Sequence, residues 1–140
     1  MRRILFRGKE ENGGEWVYGD LLQIPIQKHY AILEQTPVAK AYKVDPETVG
    51  QYTGLHDKNG LGIYEGDILK FEYNLLDQKV NCICWIEWKP YYDKDGEADG
   101  WTGWSLLAQK DDVPDPATQD VTSNCVIAGN IYDNPELIKE

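Results

Sequence analysis

The stretch from Lys79 to Trp88 constrains the fold more than any other part of the chain. Its alternate members Val80, Cys82, Cys84, Ile86 and Trp88 share one side of an extended strand, because successive side chains of a strand point to opposite faces. The other side (Asn81, Ile83, Trp85, Glu87) is mixed. A strand with that much apolar surface must be paired and covered. The sequence around it supplies strands of the same kind, each bounded by turn residues. Trp16-Val17-Tyr18-Gly19-Asp20-Leu21-Leu22 is rich in aromatic and β-branched residues. Residues 29–33, 38–44, 51–55, 68–73, 101–107 and 121–131 read as further strands, with Ile4-Leu5-Phe6 as a short first run. Pro25 keeps its neighbourhood out of any central strand.

The punctuation between these runs is local chemistry. Lys9 to Gly14 is a polar, Gly-containing turn. Asp45-Pro46-Glu47-Thr48 has a capping carboxylate followed by proline at the first helical position, which predicts a short helical turn. Asn134-Pro135-Glu136-Leu137 repeats that logic, with Leu137 and Ile138 docking on the core. In His56-Asp57-Lys58-Asn59-Gly60, the Asn-Gly pair predicts a tight hairpin turn with positive φ at both central residues. Glu65-Gly66-Asp67 and 74–78 read as a turn and a loop, and 89–100 and 109–119 as two long polar loops. The expectation is a mainly β chain with minor helix. An N-terminal β lobe (about 1–50) precedes four or five strands that suit a small barrel (about 51–140), the two parts sharing one core.

Composition bounds the function classes. A chain of 140 residues buries about two-thirds of its unfolded surface, enough to fold without disulfide or metal. No apolar run reaches the length of a membrane span, and the apolar run after Arg2-Arg3 is too short for a signal peptide, so the cytoplasm is the expected compartment. Three cysteines, an odd number, do not read as a secreted disulfide framework. Cys82, Cys84 and Cys125 read as buried small hydrophobes. The net charge of −10 is uneven: residues 1–43 carry seven basic and five acidic side chains, residues 44–140 seven basic and nineteen acidic. Such a surface repels nucleic acid, which is bound chiefly through Lys and Arg at phosphates. It suits a basic protein partner.

Three segments carry a family resemblance: Trp16-Val17-Tyr18-Gly19-Asp20-Leu21, Val44 to Leu55, and Asp57-Lys58-Asn59-Gly60 continuing to Ile63-Tyr64-Glu65-Gly66-Asp67-Ile68-Leu69. The closing Gly129-Asn130-Ile131-Tyr132-Asp133-Asn134-Pro135-Glu136-Leu137 agrees. Together they resemble the YopX family of phage and prophage proteins. The resemblance implies an SH3-like barrel in the C-terminal part, a phage or prophage origin, and expression in a bacterial cytoplasm. It implies no activity and no catalytic residue.

Candidate sites follow from the residues. Asp95, Glu97 and Asp99 alternate ahead of Gly100 as at the opening of a calcium loop, but the twelfth position is Leu106 where a bidentate Glu is needed, so a solvated acidic loop is the plainer reading. Asp93 and Asp95, with Trp101 and Trp104, make a candidate acidic and aromatic binding surface; Trp85, Trp88, Tyr91 and Tyr92 crowd the same half. Small barrels grip peptides or stack bases with such faces. His56 beside Asp57, with Cys82 or Cys125, is a nucleophilic set without supporting context, and Glu65 with Asp67 fits a turn better than an acid–base pair. No phosphate loop, zinc quartet or hydrolase elbow is present, and no cofactor is expected. The leading expectation is a non-enzymatic accessory protein that binds a host or phage protein. The alternatives are a nucleic-acid module using Arg2, Arg3, Arg7 and Lys9, and a divalent-metal protein or enzyme built on the acidic loop. Strand pairing or Trp packing also makes a homo-oligomer an expectation.

Overall fold

The computed structural model describes residues 4–24, 29–34, 39–92, 98–107 and 115–138. The chain divides into two compact units, Met1–Tyr52 and Thr53–Glu140. Both are built of antiparallel strands.

In the first unit, β1 (Phe6–Lys9) and β2 (Trp16–Ile24) form a hairpin closed by the Glu10 N–H donating to the Glu15 carbonyl at 2.8 Å. β3 (His29–Glu34) pairs with the second half of β2, β4 (Lys40–Val44) pairs with β3, and the start of β5 (Gly50–His56) pairs with β1. Gly19 sits where β2 leaves its partner β1 and takes up β3. A Cβ there would overlap the Leu33 carbonyl oxygen, so only glycine lets the two backbones approach. The far end of β4 bends back on the end of β1 through a Glu10–Val44 bridge and a Glu11 N–H to Lys43 carbonyl bond of 3.0 Å. The sheet thereby curls around Val17, Ile32 and Val44, with Phe6, Leu21, Tyr30, Tyr42 and Val49 packed against them. The predicted turn at Asp45-Pro46 is present as a single 3-10 turn, Pro46–Thr48. The Asp45 carboxylate accepts from the Glu47 N–H at 3.0 Å, and the Lys9 N–H donates to Thr48 Oγ1 at 2.9 Å, tying the turn to β1.

The second unit contains the rest of β5, β6 (Gly62–Tyr64), β7 (Asp67–Leu75), β8 (Gln78–Tyr92), β9 (Ala98–Leu107), β10 (Asp115–Pro116), the one-turn helix α1 (Gln119–Thr122) and β11 (Cys125–Asn130), ending in a 3-10 turn at Pro135–Leu137. Five strands form a sheet in the order β10-β9-β8-β7-β11. The expectation of a mainly β chain with little helix holds. Among the described residues the pairing runs from β10 to β11 without a bond that closes it into a barrel.

Apolar side chains cover both faces of this sheet. On one face Leu69, Cys84, Ile86 and Trp104 pack with Ile63, Ala117 and Cys125. On the other Ile68, Trp85 and Leu107 pack with Ile83, Ile131 and Ile138. Two-sided burial is why residues 83–86 read Ile-Cys-Trp-Ile and do not alternate.

Several sequence expectations shift. β8 and β9 extend through most of the loop foreseen at 89–100, leaving 93–97 between them, outside the described residues. The loop foreseen at 74–78 is a two-residue turn, Leu76-Asp77, flanked by the paired Leu75 and Gln78. The final strand starts at Cys125, because Thr118 caps α1 by accepting from the Val121 N–H and draws 119–122 into a helical turn. The Asn59-Gly60 turn is not of the two-residue kind. Gly60 has φ +82° while Asn59 does not enter the positive-φ region, because the Asp57 carboxylate accepts from both the Asn59 and Leu61 N–H groups and holds a wider turn.

Candidate functional site

The residues that stand out on the second unit lie on β8 and β9. Trp88 and Trp104 are directly opposite in the register and so share a face. Their rings meet edge to face, centroids 4.9 Å apart and planes at 80°. Trp104 is 8% exposed and belongs to the core, whereas Trp88 is 50% exposed. Burial therefore removes Trp104 from the candidate binding surface: it is the wall on which Trp88 rests. Trp85, on the opposite face, is buried and donates its indole N–H to Glu87 at 3.0 Å. Trp101 and Asp99 belong to β9 by their backbones, and Asp93, Asp95 and Glu97 fall outside the described residues.

Sequence reasoning placed Trp88 among the crowded aromatics without singling it out. The signal was its position two residues beyond Ile86 on the covered face of β8, where the cover ends. The same logic corrects Cys82, expected to be buried and in fact exposed. Cys125, Phe71 and Cys82 stand in one row across β11, β7 and β8. Cover reaches Cys125, whose thiol donates to the Val121 carbonyl of α1 at 3.4 Å, and does not extend across the row to Cys82.

Members of the nucleophilic set are taken up by the fold. Asp57 is 4% exposed, and its carboxylate accepts from the backbone N–H of Asn59 (2.9 Å), Leu61 (2.9 Å) and Ile127 (3.1 Å), a structural role. Burial, together with Cys82 and Asp57, pushes the Cys125 thiol above its ordinary value, the wrong direction for a nucleophile. His56 is exposed and its backbone bonds to the Gln119 side chain at 3.0 Å in both directions. Asp67 is buried and accepts from the Tyr64 N–H at 2.8 Å across the Glu65-Gly66 turn. Among the described residues no three His, Cys, Asp or Glu side chains converge as a metal ion requires.

Of the basic residues foreseen at an N-terminal nucleic-acid surface, Arg7 is buried with its guanidinium 4.5 Å from the centre of the Trp16 ring, and Lys9 lies 5.9 Å from the same ring. Arg2 and Arg3 fall outside the described residues.

Two of the segments that carry the family resemblance, Asp57 to Leu69 and Gly129 to Leu137, come together in space. Asn130 lies opposite Asp67 and Gly129 opposite Ile68, the Ile131 N–H donates to the Gly66 carbonyl at 2.9 Å, and the Asn130 amide oxygen accepts from the Tyr132 and Asp133 N–H groups. These residues build turns and strand ends. Such a molecule is a β-sheet protein in which Trp88 sits exposed at the margin of the core. The match to the YopX protein family model spans residues 5–139, and the chain belongs to that family. Among solved structures it is similar to protein EF1440 from Enterococcus faecalis, with 19% identity, 99% of this chain and 100% of that chain covered, and a TM-score of 0.53, a likeness of fold. No curated protein matches the sequence.

Proposed function

We propose that the chain is a phage-type accessory protein without enzymatic activity that binds a basic protein surface through Trp88 and the acidic connection between β8 and β9. The observation that carries this reading is Trp88 itself, half exposed and held edge-on by the buried Trp104. A Trp fixed in this way offers a large apolar contact with little rotamer freedom to lose, and Trp is enriched among residues that dominate binding energy. Residues 93–97, which join the two strands, include Asp93, Asp95 and Glu97, and the surplus of acid over base from residue 44 onward favours a basic partner. Membership of the YopX family supports the phage-type assignment. The expected setting is the cytoplasm of a bacterial host; no helix among the described residues is long and apolar enough to cross a membrane.

The test is capture from bacterial lysate by the wild-type chain, by Trp88→Ala, and by a variant with Asp93, Asp95, Glu97 and Asp99 changed to Asn or Gln. The expected result is a basic protein retained by the wild type, bound at least about tenfold more weakly by Trp88→Ala (about 1.4 kcal/mol) and more slowly by the neutralised variant. Equal affinity of Trp88→Ala for the same protein would sink the proposal, and a nuclease-sensitive catch would favour nucleic acid.

A further inference from the structure

Two asparagines stand directly before a glycine, both in exposed turns: Asn12-Gly13 between β1 and β2, and Asn59-Gly60 between β5 and β6. Asparagine is a thermolabile residue, and a following glycine has no side chain to hinder attack by its own nitrogen. In that reaction the glycine N–H gives its proton to solvent base and the nitrogen bonds to the asparagine Cγ. The side-chain amide nitrogen leaves as ammonia. Water then opens the resulting succinimide at either carbonyl, giving aspartate or an isoaspartyl linkage. Water enters and ammonia leaves, so the modification needs neither enzyme nor cofactor.

The two turns differ in what holds the attacking nitrogen. The Gly60 N–H donates to the Asp57 carbonyl at 3.0 Å. The Asp57 carboxylate, itself buried, accepts from the Asn59 and Leu61 N–H groups, each at 2.9 Å, and so pins the backbone on both sides of that nitrogen. In the β1–β2 turn the bonds miss the reacting pair. The Glu10 N–H donates to the Glu15 carbonyl at 2.8 Å and the Gly14 N–H to the Glu10 carbonyl at 3.1 Å. Among the described residues none accepts from the Gly13 N–H, and none bonds the Asn12 side chain. Among the same residues, a Cβ placed on Gly13 or on Gly60 would meet nothing within 4 Å, so hydrogen bonding and not crowding separates the two turns.

We propose that Asn12 is a site of spontaneous deamidation in the folded chain, and that Asn59, in the same dipeptide, is held back by the Asp57 turn. A bonded N–H must be released before its nitrogen can attack, and a pinned backbone does not swing that nitrogen onto Cγ. Release of one hydrogen bond is worth about fivefold in rate, and the pinned turn adds to it. The product at position 12 changes its surroundings. It sets a new carboxylate beside Glu10 and Glu11, and Glu11 is already paired with Lys43 at 3.2 Å. Residues 1–52 carry seven basic and seven acidic side chains, so the first unit turns from balanced to acidic. An isoaspartyl linkage also adds a methylene to the main chain inside the turn that joins β1 to β2 in register.

The test is incubation of the full chain at mildly alkaline pH, with peptide mapping by mass spectrometry that follows the gain of about 1 Da at each asparagine over time. The expected result is that Asn12 is modified at least about fivefold faster than Asn59 in the folded chain. In guanidinium chloride the gap should close, chiefly because Asn59 accelerates, since the two share the reacting dipeptide and only the fold distinguishes them. Asn12→Gln should remove the first acidic band in isoelectric focusing while melting as the wild type does, because its side chain has no bond to lose. Equal rates in the folded chain, a faster Asn59, an unmodified Asn12, a gap that persists in denaturant, or a first acidic band that survives Asn12→Gln overturns the proposal.

Discussion

The three cysteines show how a single side chain's fate depends on what its row of the sheet meets. Cys82 and Cys84 are two apart on one strand face, yet Cys84 is buried and Cys82 is exposed. Their spacing identified the shared face, but only the pairing with β7 and β11 decides how far the cover extends. Under native conditions a thiol reagent should label Cys82 alone, and all three cysteines after unfolding, as counted by mass spectrometry. Rapid native labelling of Cys125 would contradict its burial. The raised thiol of Cys125 also has a pH signature. The folded chain keeps that proton after the unfolded chain has released it, so the contribution to stability is full below the ordinary thiol range and declines as pH rises through it. Denaturant titrations on either side of that range should show stability falling toward alkaline pH, and less so in Cys125→Ser.

At the scale of elements, turn chemistry carried by one residue was legible and turn chemistry imposed by several was not. The Asp45-Pro46 cap is local and appears as read. The Asn59-Gly60 turn was misread because Asp57, two residues earlier, takes the N–H groups that a tight turn would leave free. The hairpin at Leu76-Asp77 was read as a loop because nothing in Leu-Asp announces positive φ; the long pairing of β7 with β8 forces it. Helix α1 was absorbed into a predicted strand because one turn is too short to show periodicity. Asp57 is the element-scale residue with the largest expected effect. Asp57→Ala leaves the Asn59, Leu61 and Ile127 N–H groups without their shared acceptor and should cost about 2–4 kcal/mol in urea unfolding, and Asp57→Asn less, because its amide keeps one accepting oxygen.

For the molecule as a whole, the sequence foretold strand content but not the order in which the strands pair. β8 reads as one strong strand from its own residues. That it is fifteen residues long and central to a two-sided sheet depends on partners far along the chain. The candidate site was legible in the same partial way. An aromatic surplus was visible, but inside and outside were not, because Trp85 and Trp88 are three apart and fall on opposite faces, and Trp104 is assigned only by its partner. The two units also differ in their buried cores. Among the described residues the first rests on three buried hydrophobic residues, the second on two clusters covering both faces of its sheet. A fragment of residues 53–140 should therefore unfold cooperatively in denaturant, and a fragment of 1–52 should not, as followed by circular dichroism. Cooperative unfolding of the shorter fragment alone would reverse that ranking.

The acceptor bonds of Asp57 have a consequence of another kind. β11 is the last strand of its sheet, and along its outer side the Lys58 N–H donates to the Cys125 carbonyl at 2.8 Å while the Ile127 N–H donates to the Asp57 carboxylate. One turn thus occupies hydrogen-bonding positions that would otherwise template a foreign strand. A chain that loses this carboxylate exposes the bare margin of an apolar β-strand at a moment when it is still mostly folded. Its failure would be seen as fibrous precipitate on storage as well as in a lowered melting point, which makes Asp57 a guardian of solubility as much as of shape.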